Sequence, residues 1–253
     1  MAEPAPEPDR QDRNCRAKGN GFLYNDHTVF PWFHSAVREV PTETFDILDC
    51  RGVKTGEIIA RDEAHRTGVW HGAFHCLIIY EREGKGYALF QKRAVQKKIA
   101  PGKFDVSVGG HYASGEDAEI AGPREIKEEV GLDVQFADLV PLGRRVFVYC
   151  FTPGITEHEF QDVFLLYRTI NPEDLALQSE ELDGVIEMDV EEGIALFSGK
   201  QAYIDAALIR ADGFTERVLV SAHDFVPCVD QYYLKLLSLG RQYAKGVRDL
   251  LII

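Results

Sequence analysis

Residues 110–132 read GHYASGEDAEIAGPREIKEEVGL, and this stretch decides how the rest of the chain is interpreted. Glu125, Glu128 and Glu129 stand at positions i, i+3 and i+4, which share one face of an α-helix. Like charges stacked in this way destabilise a helix, so the cluster predicts a bound cation that offsets the repulsion. Mg²⁺ is the expected ion, with Mn²⁺ as the alternative, because hard cations prefer carboxylate oxygens and water.

The flanking residues predict where this helix begins and ends. The helical pattern extends over 117–130, but Gly122 and Pro123 are both unfavourable inside a helix. The regular part is therefore expected to begin at Pro123, because proline suits the first helical position. Gly131 is expected to close the helix in a left-handed conformation.

Three more residues complete the pattern. Arg124 is expected to orient a carboxylate through a bidentate pair, and Glu116 to lie near the same centre. Gly110 would let the backbone approach a metal closely. The competing interpretation is a solvated acidic helix face with salt bridges from Arg124 and Lys127. It leaves the loop glycine and Glu116 unexplained.

The stretch resembles the Nudix box: Gly, five residues, Glu, seven residues, Arg-Glu-apolar-x-Glu-Glu-x-Gly-apolar. Every specified position is met, by Gly110, Glu116, Arg124, Glu125, Ile126, Glu128, Glu129, Gly131 and Leu132. The resemblance implies an α/β/α sandwich. It also implies attack by water on a diphosphate of the nucleoside diphosphate-X type, with a divalent cation neutralising the phosphate charge.

Site roles follow from the same resemblance. The implied metal ligands are box residues, with one backbone carbonyl: Glu125, Glu128, Glu129 and Gly110. The implied catalytic group is Glu129, Glu125, Arg124 and Glu116. Which glutamate acts as the base stays open, since members of the superfamily take it from the box or from a later loop. Glu180 and Glu181 are the later candidates, with loop solvation as their alternative role.

Outside the box, over roughly 45–168, the chain resembles the branch that contains type I isopentenyl-diphosphate isomerase. The matching segments are AH (64–65), KRAVQKK (92–98), PGKF (101–104), SVGGH (107–111) and EHE (157–159). That isomerase binds a metal with three histidines and two glutamates, which fall, with one gap, on His65, His71, His111, Glu157 and Glu159. Such a donor set suits Zn²⁺, Mn²⁺ or Mg²⁺. Its diphosphate-binding basic residues fall on Arg61, Arg93 and Lys97.

Two departures from the isomerase favour hydrolysis. Gly109 stands where the isomerase has its catalytic cysteine, and glycine has no side chain to move a proton. Phe147 replaces the isomerase tyrosine. We therefore expect a Mg²⁺-dependent hydrolase of diphosphate bonds. The alternatives are an isopentenyl-diphosphate isomerase-like enzyme and a non-catalytic ligand-binding module.

The histidines also have an alternative role. Each of them, taken singly, could have a hydrogen-bonded structural role instead of binding a metal, and His75 is assigned to the core side of its strand.

Apolar, β-rich segments predict strands on both sides of the central helix. They form hairpins at 45–60 and 71–92, with further strands at 146–151, 160–168 and 185–188. We expect an α/β (α+β) fold, namely a Nudix-type α/β/α sandwich with a mixed sheet and additional C-terminal helices. The expected parts are a disordered or extended segment (1–40), a Nudix domain (41–200) and a helical C-terminal extension packed on it (201–253).

Composition narrows the class of partner. The net charge of −13 over 253 residues repels phosphate backbones, so no nucleic-acid duplex is expected. Five cysteines without a CxxC pair indicate reduced thiols. No signal peptide or membrane-length apolar run is evident, so we expect no membrane association and a cytoplasmic location. A small-molecule diphosphate is the expected partner, and a homodimer is the default from base rates.

Overall fold

The computed structural model describes residues 43–252. The segment expected to be disordered or extended (1–40) therefore lies outside the described residues. A nine-stranded mixed sheet forms the centre, in the order β11-β10-β9-β4-β3-β8-β7, with β5 paired to β4 and β6 paired to β3. Its strands are β3 (His71–Arg82), β4 (Lys85–Arg93), β5 (Phe104–Asp105), β6 (Val108–His111), β7 (Leu139–Thr152), β8 (Ile155–Tyr167), β9 (Leu182–Asp189), β10 (Ile204–Arg210) and β11 (Thr215–Val220).

Helices cover both faces of this sheet. They are α1 (Arg61–Thr67), α2 (Ala118–Val130), α3 (Val190–Phe197) and α4 (Tyr232–Ala244), and a separate hairpin consists of β1 (Thr44–Leu48) and β2 (Lys54–Ala60). The central strand β3 shows why two layers of helix are needed. Leu77 and Ile79 belong to the core that includes α3 and α4, whereas Cys76 and Ile78 belong to the core that includes Ile126 of α2. Alternate side chains of a strand face opposite sides, so the predicted α/β/α arrangement with a mixed sheet is confirmed.

The central helix begins earlier than the sequence predicts. It starts at Ala118 rather than Pro123, because the Asp117 carboxylate accepts hydrogen bonds from the Glu119 and Ile120 backbone N–H groups. Such an N-cap satisfies donors that would otherwise be unpaired. Pro123 lies inside the helix and leaves the Glu119 carbonyl without its helical partner.

Gly122, the other unfavourable residue, has a packing reason. A Cβ at this position would lie 2.7 Å from the Phe74 ring. The glycine therefore allows α2 to approach β3 closely. The helix ends as predicted, at Gly131 with φ of 74° and its N–H bonded to the Lys127 carbonyl.

The C-terminal segment differs from the helical extension predicted over 201–253. It contributes β10 and β11 to the main sheet before α4 begins. Ile204, Ala206 and Leu208 are buried and Asp205 is exposed, so the apolar residues repeat every second position as a strand requires. Within 43–252, no helix has the length and apolar character needed to cross a membrane.

Candidate active site

Arg124 on α2 gathers three carboxylates at one point. Its Nε and Nη2 atoms donate to the two oxygens of Glu116 over 3.0 and 2.7 Å. Its Nη1 atom donates to Glu125 over 2.9 Å and to Glu128 over 3.0 Å. Nη2 also reaches the His111 carbonyl at 3.3 Å. Arg124 therefore ties the loop before α2, the acidic face of α2 and the end of β6 together.

Gly110 leaves the space that Glu125 occupies. A Cβ at position 110 would lie 2.1 Å from Cδ of Glu125, which no real side chain can do. The Glu125 side chain is 11% exposed. Burial raises its pKa, against the opposing charge of Arg124. Position 110 must therefore be glycine for the Glu125 carboxylate to occupy its place.

Glu129 is the most deeply buried carboxylate of the cluster, at 4% exposed. Its Oε2 atom accepts hydrogen bonds from the Gly109 N–H over 3.2 Å and from Gln91 Nε2 over 3.3 Å. Burial, and then the charge of Glu125, raise its pKa well above the ordinary value. Glu128 differs, because its side chain is 51% exposed. Two desolvated carboxylates and one accessible carboxylate therefore lie together.

Of the two later base candidates, Glu181 lies nearer to this cluster. Its carboxylate contacts Lys97 Nζ, and its charge also acts to raise the Glu129 pKa. Glu180 is exposed, and its carbonyl accepts a hydrogen bond from Gln96 Nε2 over 3.3 Å.

The five residues of the isomerase-like set also come together. Strand register explains part of this, since His71 of β3 pairs with Glu159 of β8 and β6 places His111 beside the start of β3. Ligand atoms of His65, His71, His111 and Glu157 lie within 4.8 Å of one another. His111 Nε2 is 2.9 Å from Glu159 Oε1. The cluster thus joins α1, β3, β6 and β8.

Several atoms of this His–Glu cluster lie near one another without forming a hydrogen bond within 43–252; His65 Nε2 and Glu157 Oε1, for example, are 3.5 Å apart. His65 Nε2, His71 Nε2 and Glu157 Oε1 are buried without a hydrogen bond to the described residues. The other nitrogen of His71, Nδ1, lies 3.0 Å from the Val69 carbonyl, which orients the ring so that Nε2 faces the cluster. Backbone support of this kind is typical of metal-binding histidines. Unpaired buried polar atoms are costly, so the donor set fits a divalent cation.

The ionisation of the cluster reflects its burial and its charges. Burial lowers the pKa of His65 to about 3. Burial acts to lower the pKa of His111, but the adjoining Glu157 and Glu159 carboxylates raise this pKa to about 9. Burial, and then Glu159, raise the pKa of Glu157 to about 7. Groups perturbed in this way gather at functional sites.

A cavity of about 330 Å³ adjoins the His–Glu cluster. All three predicted phosphate-binding side chains line it: Arg61, Arg93 and Lys97. Gly109, Gly110 and His111 of β6 all line the cavity, while the Cβ direction of Gly110 points at Glu125 of α2. The carboxylates of α2 are not among the cavity's lining residues within 43–252. The strand β6 therefore carries elements of both clusters.

Each basic residue of the cavity is already held by the protein. Arg61 pairs with Glu43 over 2.6 Å, and Lys97 pairs with Glu181. Arg93 donates through Nε and Nη2 to the Ile99 carbonyl over 3.2 and 3.0 Å. These contacts restrain the three side chains before a ligand binds.

Sequence reasoning missed Arg145 and Gln161. Arg145 is 8% exposed, binds Asp230 through two bonds of 2.8 and 2.9 Å, and donates to Gln161 over 2.7 Å. Gln161 in turn donates to Glu159 over 2.5 Å. The period of two along β8, which places Gln161 on the same side as Glu157 and Glu159, is a signal that could have found it. Asp230 lies far away in sequence and offered none.

Comparison with known proteins defines the class. The NUDIX domain family matches residues 69–208, which include α2, both clusters except His65, and most of the main sheet. The chain belongs to the Nudix family.

Relatives place the chain more narrowly. An uncharacterized Nudix hydrolase of Clostridium acetobutylicum is 30% identical over 178 residues, which cover 69% of this chain and 85% of that protein. An isopentenyl-diphosphate Delta-isomerase of Aliivibrio fischeri is 34% identical over 122 residues, covering 45% of this chain and 66% of the isomerase. A Deinococcus radiodurans crystal structure has a TM-score of 0.48 at 23% identity, covering 63% of this chain and 91% of that chain. The protein is thus an enzyme of the Nudix hydrolase family, whose members act on pyrophosphate bonds, and its branch also holds isomerase-named relatives.

Proposed function

We propose that this enzyme hydrolyses a diphosphate bond in a nucleoside diphosphate-X type or related metabolite, with Mg²⁺ as cofactor. The buried pair Glu125 and Glu129, held by Arg124 and by the backbone of β6, carries the proposal. Burying two like charges without a counter-ion is unfavourable. Diphosphate hydrolysis, in turn, needs a divalent cation beside the phosphate oxygens. The two requirements meet in one site.

The donor chemistry of the α2 carboxylates fits Mg²⁺, with Mn²⁺ as the alternative. Glu125, Glu128 and Glu129 would hold the ion, together with the Gly110 carbonyl. When bound, Mg²⁺ neutralises phosphate charge and orients or acidifies water. Arg124 keeps the carboxylates in place through the hydrogen bonds described above.

Glu129 is the proposed general base, and Glu181 is the alternative. A base must accept a proton from the attacking water, and Glu129 is a carboxylate that lies in the proposed metal site. Glu181 has the advantage of greater exposure. Arg61, Arg93 and Lys97 would bind the diphosphate charge, with Arg offering two parallel donors to phosphate oxygens.

A second divalent ion at the His–Glu cluster is also part of the proposal, supported by its unpaired nitrogen and oxygen atoms. Co²⁺ is expected to bind there and give the visible absorption of a nitrogen- and oxygen-ligated ion. His71→Asn should abolish that signal. His158→Asn is the matched control, since its ring packs against Trp70 rather than in the cluster. An unchanged Co²⁺ spectrum in folded His71→Asn would contradict the assignment.

Isopentenyl-diphosphate isomerisation is the second candidate, because the His–Glu cluster is assembled and a relative bears that name. Gly109 and Phe147 line the cavity. By the resemblance they stand where the isomerase has its cysteine and tyrosine, and neither can transfer a proton. Deuterium exchange into isopentenyl diphosphate decides this point. We expect none while diphosphate hydrolysis is active.

The substrate class is tested with a Mg²⁺-dependent phosphate-release panel. It should contain nucleotide sugars, dinucleoside polyphosphates, capped and oxidised nucleotides, and prenyl diphosphates. We expect cleavage within the nucleoside diphosphate-X compounds. Absence of cleavage across the panel, together with tight ligand binding, would favour the non-catalytic module instead.

Gly110→Ala should reduce kcat by about 100-fold, since a displacement of about 1 Å in a catalytic group can have that effect. The added Cβ would overlap the Glu125 carboxylate and force it away from Glu129. Gly86→Ala is the control, because its Cβ would meet only ordinary contacts with Val190. Equal kcat values for the two variants would show that the position of Glu125 is unimportant.

A further inference from the structure

His75 is a cavity histidine that neither cluster uses. It lies on β3, is 8% exposed and lines the same cavity as the phosphate-binding residues. Its Nδ1 atom is 3.0 Å from the hydroxyl of Tyr232, the first residue of α4. Its Nε2 atom has no hydrogen-bond partner among residues 43–252. One nitrogen is thus held by the protein and the other is not.

Tyr232 determines which nitrogen carries the proton. The tyrosine is 1% exposed, and burial raises its pKa, so the phenol keeps its proton. That proton needs an acceptor, and His75 Nδ1 is the acceptor within reach among residues 43–252. Burial lowers the pKa of His75 and keeps the ring neutral. A neutral ring that accepts at Nδ1 carries its proton on Nε2.

Gly109 explains why Nε2 is accessible. A Cβ at position 109 would stand 3.5 Å from Nε2 and Cδ2 of His75, and Gly109 itself lines the cavity. A longer side chain there, such as the cysteine of the isomerase, would cover the edge of the imidazole. With glycine, a cavity occupant can approach the Nε2–H donor.

The rest of the cavity is mixed in character. Basic side chains line it, and so do apolar ones: Phe147, Phe151, Val226 and Pro227. A ligand that suits both has a diphosphate and an attached group with apolar surface. The Nε2–H donor adds one requirement, because a donor left unpaired against a bound hydrocarbon is unfavourable.

We propose that His75 donates a hydrogen bond from Nε2 to an acceptor atom on the organic group attached to the diphosphate, and so selects acceptor-bearing substrates over hydrocarbon diphosphates. Tyr232 is a positioning residue that sets the tautomer. The proposal deepens the diphosphate hydrolysis proposed above and rests on it for the place of the diphosphate. A prenyl diphosphate has a hydrocarbon group without an acceptor for this donor, so the enzyme should bind it less well than an acceptor-bearing diphosphate.

Two non-hydrolysable probes test whether the enzyme selects acceptor-bearing substrates: α,β-methylene-ADP and the methylenediphosphonate analogue of isopentenyl diphosphate. Each probe is titrated into the enzyme by calorimetry in the presence of Mg²⁺. His75→Leu should weaken binding of α,β-methylene-ADP about 10- to 100-fold, as expected for a lost buried hydrogen bond. Binding of the hydrocarbon analogue should change by no more than about twofold. His75→Gln, which keeps an N–H donor, should recover part of the loss. Equal losses for both probes, or wild-type binding of methylene-ADP no tighter than that of the hydrocarbon analogue, would overturn the proposal.

Two further measurements do not depend on the stability of His75→Leu. Gly109→Val keeps His75 and the backbone donor to Glu129 but shields Nε2, so it should show the same selective loss. Imidazole ¹⁵N NMR of the wild type, assigned with His75→Gln, should show the Nε2–H tautomer, and Tyr232→Phe should remove that preference. A Nδ1–H tautomer in the wild type would overturn the proposal.

The outcome is separable from that of the proposed function. Full hydrolysis in Glu129→Gln would end the proposed catalytic site, whereas the probe selectivity of His75→Leu is a binding result. Conversely, a non-selective His75→Leu would leave the hydrolysis proposal untouched.

Discussion

Glu129→Gln is expected to lower kcat by about 10²- to 10⁴-fold, the range for loss of a general base. The amide has nearly the same shape, but it neither accepts a proton from water nor contributes negative charge to a Mg²⁺ site. The measurement is Mg²⁺-dependent phosphate release from the best substrate of the panel. Because kcat falls without loss of the phosphate-binding residues, KM should change much less.

The melting temperature of Glu129→Gln provides a second test of this prediction. The Glu129 carboxylate is buried beside Glu125, and its pKa is raised for that reason. Replacing it by a neutral group removes desolvation and like-charge repulsion, so the metal-free variant should melt at or above the wild-type temperature. Glu119→Gln, at an exposed position of the same helix, is the control and should match the wild type in both measurements. Wild-type kcat in a folded Glu129→Gln variant would rule out this site.

Arg124→Lys should lower kcat by about 100-fold, which is the expected effect of a catalytic group misplaced by about 1 Å. A lysine ammonium is a single point donor, whereas the guanidinium bridges Glu116, Glu125 and Glu128 at once. The carboxylates would then lose their common anchor. Steady-state kinetics at saturating Mg²⁺ measures the effect.

The matched control is Arg144→Lys. Arg144 also forms a two-bond pair with a carboxylate, at 2.7 and 2.9 Å from Asp162, but it lies outside both clusters. Each variant loses a two-bond pair with one carboxylate, but only Arg124→Lys also loses the bonds to Glu125 and Glu128. The kcat of Arg144→Lys should therefore stay near the wild-type value. If the kcat values of both variants fell equally, Arg124 would be a structural residue and not an organiser of the site.

Local sequence patterns predicted much of the sheet. The hairpin expected at 71–92 is present as β3 and β4, and the hairpin expected at 45–60 as β1 and β2. Both have β-rich segments split by a glycine-containing turn, which is short-range information. The start of α2 was wrong because Asp117 as N-cap outweighs the unfavourable Gly122 and Pro123.

The C-terminal segment shows where such reasoning fails. The sequence predicts helix where β10 and β11 form, since short apolar runs are compatible with either period. Pairing of β10 with β9 decides between the two. That pairing depends on where the edge of the sheet lies, which is a long-range property of the fold.

The candidate site divides in the same way. Helical spacing alone predicted that Glu125, Glu128 and Glu129 share one face. The sequence also predicted that Arg124 orients a carboxylate. It did not show that Glu125 and Glu129 are buried while Glu128 is half exposed. Nor did it reveal the bonds from Arg145 through Gln161 to Glu159.

By itself, the amino-acid sequence determined the family, the central acidic helix and the glycines around it, because these depend on residues within about two dozen positions of each other. The tertiary structure alone decided that His75 meets Tyr232 across 157 positions and faces the space left by Gly109. It alone decided also that Asp230 supports the His–Glu cluster through Arg145. Contacts between distant residues depend on how strands pair and helices pack, and no local period encodes them.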